Sequence, residues 1–285
     1  MRGLTRTILA LVFIVLLAAG CSKNNPLAPD LNGSPEESAS FTVRPDFATV
    51  DYRPAEEIAA SQVTEQQAEL VKLDESTSKG AKYALVIGIS DYSGTANDLQ
   101  YCDDDANDWK ARLVKEGYSV TILLDRSATK SAIESAVNTL VSRSIAGNEI
   151  AFCYSGHGSK GNIISTDLYY ISSSWFKTKF STAKSAKMMF AFDACQIGAM
   201  ATGLNATGRV IAVASNKTLY AYDGDATMKN GVFTYYQMKG FDTQGYIYYE
   251  PDCSYACTHM KNWAASAGVK VAPSYTDSYA GDLNP

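Results

Sequence analysis

Short apolar runs alternate along the chain with stretches in which apolar residues recur every three or four positions. Runs of this kind are typical of strands that are buried on both faces, as in a parallel sheet. Five of them occur, at residues 83–89, 120–124, 150–154, 188–192 and 210–214. Because such strands alternate with helical stretches, the pattern predicts an α/β fold with a mostly parallel sheet and helices on both faces.

The helical stretches have recognisable starts and ends. Three acids at 103–105 supply N-terminal caps and interact favourably with a helix dipole, and Gly117 ends the same helix. Between them, apolar residues recur at helical spacing at Ala106, Trp109, Leu113 and Val114. The pattern predicts a second amphipathic helix over 130–145 and another that begins at 231–238.

The N-terminal residues differ from the rest of the chain. Arg2 and Arg6 precede an unbroken apolar run at 8–19, which predicts a signal peptide over residues 1–20. The run is too short to be a stable membrane anchor, which needs about 20 apolar residues. It ends in LAAGC, which resembles a bacterial lipobox. This resemblance implies that Cys21 carries lipid and becomes the first residue of the mature protein.

A lipidated N-terminus places the protein on a membrane of the bacterial cell envelope. Ser22 resembles the sorting signals of outer-membrane lipoproteins, so we expect the outer membrane. Residues 21–80 begin with a stretch rich in Pro, Ser, Asn and charge, and we interpret them as a flexible tether with a short helix at 55–73. Residues 81–285 are numerous enough for one domain with a sizeable core.

The charge balance limits the class of partner. The chain has 25 basic and 30 acidic residues, and loss of residues 1–20 changes its net charge from −5 to −7. Binding to phosphate groups needs a basic stripe, which the sequence lacks, and no zinc-finger spacing occurs. Nucleic acid is therefore not expected as a partner.

Five cysteines remain after Cys21, which is an odd number in an exported protein and indicates at least one reactive thiol. Cys253 and Cys257 are close enough in sequence for a local disulfide. These two cysteines and His259 are an alternative metal site, but no fourth ligand is apparent. We therefore expect no bound metal.

Two reactive residues follow two of the predicted strands. The run at 150–154 leads into His157, and the run at 188–192 leads into Cys195, each through small residues. Ligands of such sheets bind beyond the carboxyl ends of the strands. A cysteine nucleophile needs a base, and His259 follows no strand, so His157 is the candidate base.

The motifs that surround these two residues resemble those of caspases and metacaspases. YSGHG at 154–158 is followed by DAC at 193–195, so that Cys195 comes 38 residues after His157. Further agreement across residues 82–240 occurs in VIGI at 86–89, CDDDA at 102–106 and GVFTYY at 231–236. The resemblance implies a three-layer α/β/α sandwich with a mostly parallel central sheet.

The resemblance also implies a mechanism. His157 polarises the thiol of Cys195, whose thiolate attacks a peptide carbonyl to form an acyl enzyme. By the same analogy, the backbone N–H groups of Gly158 and Cys195 hold the oxyanion.

Acidic residues near the nucleophile suggest the substrate. Asp193 lies two residues before Cys195, and Asp105 matches the second pocket acid of metacaspases. Two carboxylates in one pocket favour a cationic side chain, above all a guanidinium that bonds through two nitrogens. We therefore expect protein or peptide substrates that are cleaved after Arg or Lys.

Three features of the sequence concern how the enzyme would be activated. We expect no required cofactor. Metacaspase-like enzymes often respond to Ca²⁺, yet Asp167 is the only candidate acid in the segment after His157, so activation by Ca²⁺ stays open. The Ser, Thr and Lys residues of 177–187 predict an exposed segment, which is either a self-processing loop or an ordinary linker.

Two other functions compete with an endopeptidase. The chain is alternatively a catalytically inactive caspase-fold lipoprotein that binds a partner through its C-terminal part, where ten tyrosines lie between residues 220 and 279. An asparaginyl peptidase or transpeptidase of the legumain type is the third reading. Asp105 and Asp193 argue against it, because they call for a positively charged guest.

Overall fold

The computed structural model describes residues 80–285. The predicted signal peptide, the lipidated Cys21, the helix at 55–73 and the tether as far as residue 79 lie outside the described residues. Between residues 80 and 285, no helix is long and apolar enough to cross a membrane.

Strands and helices alternate through most of the described chain. The strands are β1 (Lys82–Gly88), β2 (Ser119–Leu124), β3 (Glu149–Ser155), β4 (Gly158–Ser159), β5 (Asn162–Ile164), β6 (Tyr170–Ser172), β7 (Lys187–Asp193), β8 (Arg209–Val213) and β9 (Ser274–Asp277). The α-helices are α1 (Cys102–Lys115), α2 (Lys130–Ser142), α3 (Ser173–Phe180), α4 (Ala199–Leu204), α5 (Val232–Asp242) and α6 (Tyr249–Ala267).

Six strands form the central sheet, in the order β2-β1-β3-β7-β8-β9. The first five of these are parallel, and β9 is antiparallel to β8. β3, β7 and β8 are almost wholly buried, as the apolar runs predicted for strands covered on both faces. The predicted mostly parallel α/β sheet is therefore confirmed.

Side chains of the parallel strands alternate between two cores, one on each face of the sheet. Leu85 and Ile87 of β1 pack in the first core, whereas Ala84 and Val86 pack in the second. Residues of α2, α3 and α4 complete the first core, and residues of α1, α5 and α6 complete the second. Burial of each large aliphatic or aromatic side chain contributes about 1.5–3 kcal/mol. The three-layer α/β/α sandwich is thus confirmed.

The disulfide predicted between Cys253 and Cys257 is wrong. Both are free, buried thiols that lie four residues apart on α6. Side chains at this spacing on a helix have Cβ atoms about 5–6 Å apart. A disulfide needs a Cβ–Cβ distance of about 3.8 Å. The helix therefore spaces the two Cβ atoms more widely than a disulfide allows.

The segment 177–187 is not a continuous exposed loop as predicted. Residues 177–180 belong to α3, and Lys187 begins β7. Phe176 and Phe180 lie one helical turn apart and are both fully buried in the first core, which holds α3 against the sheet. Only residues 181–186 lie outside regular structure, and a peptidase would have less extended chain to cleave than the composition suggested.

Candidate active site

The loops that carry the two candidate reactive residues lie side by side at one edge of the sheet. β3 and β7 are parallel neighbours, with Ser155 opposite Asp193. His157 and Cys195 each follow two residues beyond that pair. The N–H of Gly156 donates to the carbonyl of Asp193 at 3.2 Å, so the contact between the strands continues into the loops. The structure thus brings both residues to the same place, because the register of two buried strands sets their positions.

The imidazole of His157 is almost completely buried, with 1% exposed. Its Nε2 lies 2.7 Å from the backbone carbonyl oxygen of Asn97. A carbonyl can only accept, so Nε2 carries the proton and the lone pair is on Nδ1. Burial lowers the pKa of His157 to about 4, and the Asn97 carbonyl partly opposes that shift. The ring is therefore neutral near pH 7 and able to accept a proton.

Cys195 is also buried, with 2% exposed. Its Sγ donates to the carbonyl oxygen of Ala221 at 3.6 Å. Ala221 belongs to the segment that follows β8, and the N–H of Gln196 donates to the carbonyl of Leu219 in that segment at 2.9 Å. The segment 219–223 therefore covers the buried thiol.

Gly158 is the residue that allows the two loops to touch. A Cβ on Gly158 would lie 2.2 Å from the carbonyl oxygen of Cys195 and 3.0 Å from the Cβ of Ala194. The first distance is shorter than any real contact of a Cβ atom, and it is made to backbone, which cannot easily give way. A glycine is needed here because only bare backbone fits beside the Cys195 backbone.

Asp105 and Asp193, the two acids singled out in the sequence, converge on Gly231. The Gly231 N–H donates to Oδ1 of Asp105 at 2.9 Å, and Ser155 Oγ donates to Oδ2 of Asp105 at 2.6 Å. Asp193 Oδ2 accepts from the N–H and the hydroxyl of Thr234 at 2.9 and 3.0 Å. A Cβ on Gly231 would lie 2.4 Å from Asp193 Oδ2 and 2.8 Å from Asp105 Oδ2, so the carboxylates lie on either side of one Cα.

A third acid, Asp223, lies beside them and was not found from the sequence. It is 7% exposed, forms a β-bridge with Gly231, and accepts from the N–H of Gln100 at 3.3 Å. No sequence pattern points to Asp223, because it lies in an irregular loop where an acid usually faces solvent. We call Asp105, Asp193 and Asp223 the acidic cluster.

The acidic cluster is costly to ionise. Burial raises the pKa of Asp193 to about 6 and, together with the charge of Asp193, raises that of Asp223 to about 7. Burial and the neighbouring Asp193 also raise the pKa of Asp105 well above its ordinary value. Among residues 80–285, no Lys or Arg forms an ion pair with any of the three. A cation from outside the domain would therefore offset both the cost of burying the carboxylates and the repulsion between them.

The candidate metal ligands do not come together. Within the described part of the chain, no group of three His, Cys, Asp or Glu residues is arranged to hold a metal ion. His259 packs against the ring of Tyr255, with centroids 4.0 Å apart. The carboxylate of Asp167, the candidate calcium ligand, accepts from the N–H of Lys130 at 2.8 Å, at the first turn of α2.

This chain belongs to the caspase domain family, whose sequence signature matches residues 81–264. Among solved structures, the chain is similar to a protein from Geobacter sulfurreducens, with 15% sequence identity and a TM-score of 0.58. That match covers 72% of this chain and 97% of the Geobacter chain, and at this identity it shows a shared fold alone. No curated protein matches the sequence.

Proposed function

We propose that this protein is a cysteine endopeptidase in which Cys195 is the nucleophile and His157 the base. The observation that carries the proposal is the hydrogen bond from His157 Nε2 to the Asn97 carbonyl, within a loop that continues the contact between β3 and β7. That bond leaves the basic lone pair on Nδ1 of a neutral ring at the strand end where Cys195 also lies.

The reaction follows from these groups. Nδ1 of His157 takes the proton of the Cys195 thiol, and the thiolate attacks the peptide carbonyl carbon. The N–H groups of Gly158 and Cys195 stabilise the oxyanion that forms. His157 then gives its proton to the leaving amine, which breaks the peptide bond and leaves an acyl enzyme. A water molecule, deprotonated by His157, hydrolyses the thioester and restores the thiol.

The acidic cluster supports specificity for Arg or Lys at the residue before the cleaved bond. Three buried carboxyl groups at the strand end favour a cationic guest, and a guanidinium can donate to two carboxylates at once. Uncharged asparagine would leave the three acids without a positive partner, so the legumain-type activity is disfavoured.

Lipidation at Cys21 would hold this domain on the cell envelope, most simply at the outer membrane. Its substrates would then be proteins or peptides with basic residues that reach the same compartment. The reaction needs no cofactor in this scheme, and Ca²⁺ enters the assay below as a variable.

The test uses the chain without residues 1–20 and with Cys21→Ser, to prevent lipidation. It is assayed on fluorogenic peptides that end in Arg, Lys, Asp or Asn, with and without Ca²⁺ and with reductant. We expect turnover of the Arg and Lys peptides, and a loss of kcat/KM of at least about 1,000-fold in Cys195→Ala and in His157→Ala.

Cys153→Ala is the matched control, because Cys153 is an equally buried thiol, 1% exposed, in the middle of β3. It should keep wild-type turnover. Turnover of Asp or Asn peptides alone would overturn the specificity but keep the nucleophile. If Cys195→Ala cleaves as fast as the wild type, the dyad is wrong.

A binding module is the second candidate function, and one surface favours it. Partly exposed aromatic rings of α5, α6 and the connection between them form a continuous series of ring contacts, with centroids 4.0–5.9 Å apart. They are Tyr235, Tyr236, His259, Tyr255 and Tyr246. Absence of turnover on every peptide, with Ca²⁺ and reductant present, would favour this function over the peptidase.

A further inference from the structure

Two buried tyrosines hold the backbone of His157 on both sides of its Cα. The hydroxyl of Tyr92 accepts from the N–H of His157 at 2.8 Å, and the hydroxyl of Tyr154 donates to the carbonyl of His157 at 2.8 Å. Tyr92 is 0% exposed and Tyr154 2% exposed. The Tyr154 hydroxyl also lies 3.0 Å from the carbonyl oxygen of Ile164 and accepts from the Ile164 N–H at 3.3 Å, so it joins the backbone of His157 to β5. The proposed reaction uses neither phenol.

The packing around the loop leaves little room for movement. The ring of Tyr92 lies against the imidazole of His157, with centroids 4.6 Å apart. The two hydroxyl oxygens are 3.4 Å apart. A Cβ on Gly156 would lie 2.6 Å from the Tyr92 hydroxyl and 2.7 Å from the Tyr154 hydroxyl. Both phenols therefore close over the residue that precedes His157.

One segment supplies contacts to both the backbone and the ring of His157. Tyr92 bonds the backbone, and Asn97, five residues later, bonds Nε2. This segment is fixed at its start by Asp125, whose Oδ1 accepts from the N–H groups of Ser90 and Asp91 at 2.8 and 3.0 Å. The segment that carries the Tyr92 hydroxyl and the Asn97 carbonyl is therefore anchored at its start.

We propose that Tyr92 and Tyr154 are positioning residues that hold His157 at the distance from Asn97 at which the proton stays on Nε2 and the lone pair on Nδ1. This role rests on the proposed dyad. Without either hydroxyl, the backbone of His157 loses one of its hydrogen bonds, and the loop that carries it is held less firmly. The ring then loses its alignment with the Asn97 carbonyl, and both neutral tautomers become populated.

The kinetic test compares Tyr92→Phe and Tyr154→Phe with Tyr249→Phe in the mature chain carrying Cys21→Ser. Tyr249 is a matched control, since it is 0% exposed and its hydroxyl donates to the carbonyl of Phe190 at 2.9 Å on β7. We expect kcat on an Arg peptide to fall about 10- to 100-fold in the first two variants, with KM changed less than about threefold. Tyr249→Phe should keep the wild-type kcat.

The second test observes the ring nitrogens directly and does not depend on turnover. The chain has two histidines, so in His259→Asn all imidazole ¹⁵N signals belong to His157. We expect the Nε2–H tautomer alone near pH 7. Adding Tyr92→Phe or Tyr154→Phe should give shifts averaged between the two tautomers, whereas adding Tyr249→Phe should not.

The two measurements separate this inference from the proposed function. A wild-type chain that cleaves nothing but shows the tyrosine-dependent tautomer would contradict the peptidase and support the positioning role. Tyrosine variants that keep both the Nε2–H tautomer and the wild-type kcat would overturn the positioning role, whatever the dyad does. A KM increase with unchanged kcat would also overturn it, because that result places the tyrosines in substrate binding.

Discussion

The loop that carries His157 and the acidic cluster lie at the same edge of the sheet, but their polar groups differ in the partners they have. Around His157, uncharged donors and acceptors meet the backbone and the ring, and the imidazole itself is neutral. In the acidic cluster, three carboxyl groups are buried together without a cation from the described residues. The polar groups around His157 are thus paired within the domain, whereas under the proposed specificity the acidic cluster would be stabilised by a cationic side chain of the substrate.

The largest effect that tests this contrast is expected from Asp193→Asn. The variant should lose about 100- to 1,000-fold in kcat/KM on an Arg peptide, because one buried partner of the guanidinium loses its charge. Alkylation of Cys195 by iodoacetamide, followed by mass spectrometry, should proceed at the wild-type rate. Equal losses in alkylation and in cleavage would show that Asp193 and the reactive thiol depend on each other and act as one unit.

An intermediate effect concerns stability and pH. The folded pKa of Asp223 is raised from 3.8 to about 7, so between those values the folded state binds more protons than the unfolded state. Its contribution to the free energy of unfolding therefore falls as pH rises from about 4 to 7. The free energy of unfolding of Asp223→Asn should therefore rise by on the order of 3 kcal/mol relative to that of the wild type as pH increases over that range.

Denaturant unfolding at pH 4, 5.5 and 7.5 measures this difference. His157, with its lowered pKa, has the opposite sign below pH 6.5, but it is present in both chains and cancels. Asp282→Asn is the control, since Asp282 is exposed. If the free energies of unfolding of Asp223→Asn and the wild type differ by the same amount at all three pH values, the pKa of Asp223 is not raised in the folded protein.

The smallest effect is expected at α6, far in sequence from both regions. The unfolded mature chain with Cys21→Ser, alkylated without reductant, should carry five adducts, because Cys253 and Cys257 are free. The Tm of the folded, unalkylated chain should be the same with and without reductant. Two missing adducts in the peptide that contains α6 would show that Cys253 and Cys257 form a disulfide.

The sequence predicted the parts of the fold that depend on side-chain pattern. β1, β3, β7 and β8 are visible as apolar runs because both of their faces are buried, and β2 is apolar enough to be predicted although it lies at the edge of the sheet and is partly exposed. β9 was missed, since its four residues are mostly exposed and carry no alternation. α6 was missed because tyrosines, cysteines and polar residues blur its helical period.

The candidate site divides in the same way. His157, Cys195, Asp105 and Asp193 were found because each belongs to a motif next to a recognisable strand or helix. The carbonyl of Asn97 and the segment that covers Cys195 could not be found, since they act through backbone atoms that any residue possesses. Hydrogen bonds to backbone carbonyls depend on the tertiary structure and do not require a particular residue type, so the sequence does not reveal them.

The register of β3 against β7 has a consequence for variation in length. The 38 positions that separate His157 from Cys195 in sequence do not set their separation in space, because the hydrogen-bonded ladder between the two strands does. Insertions between α3 and β7 should leave the two residues where they are. A single residue added within either strand would turn the following side chains of that strand to the opposite face, and His157 and Cys195 would no longer follow paired residues in register.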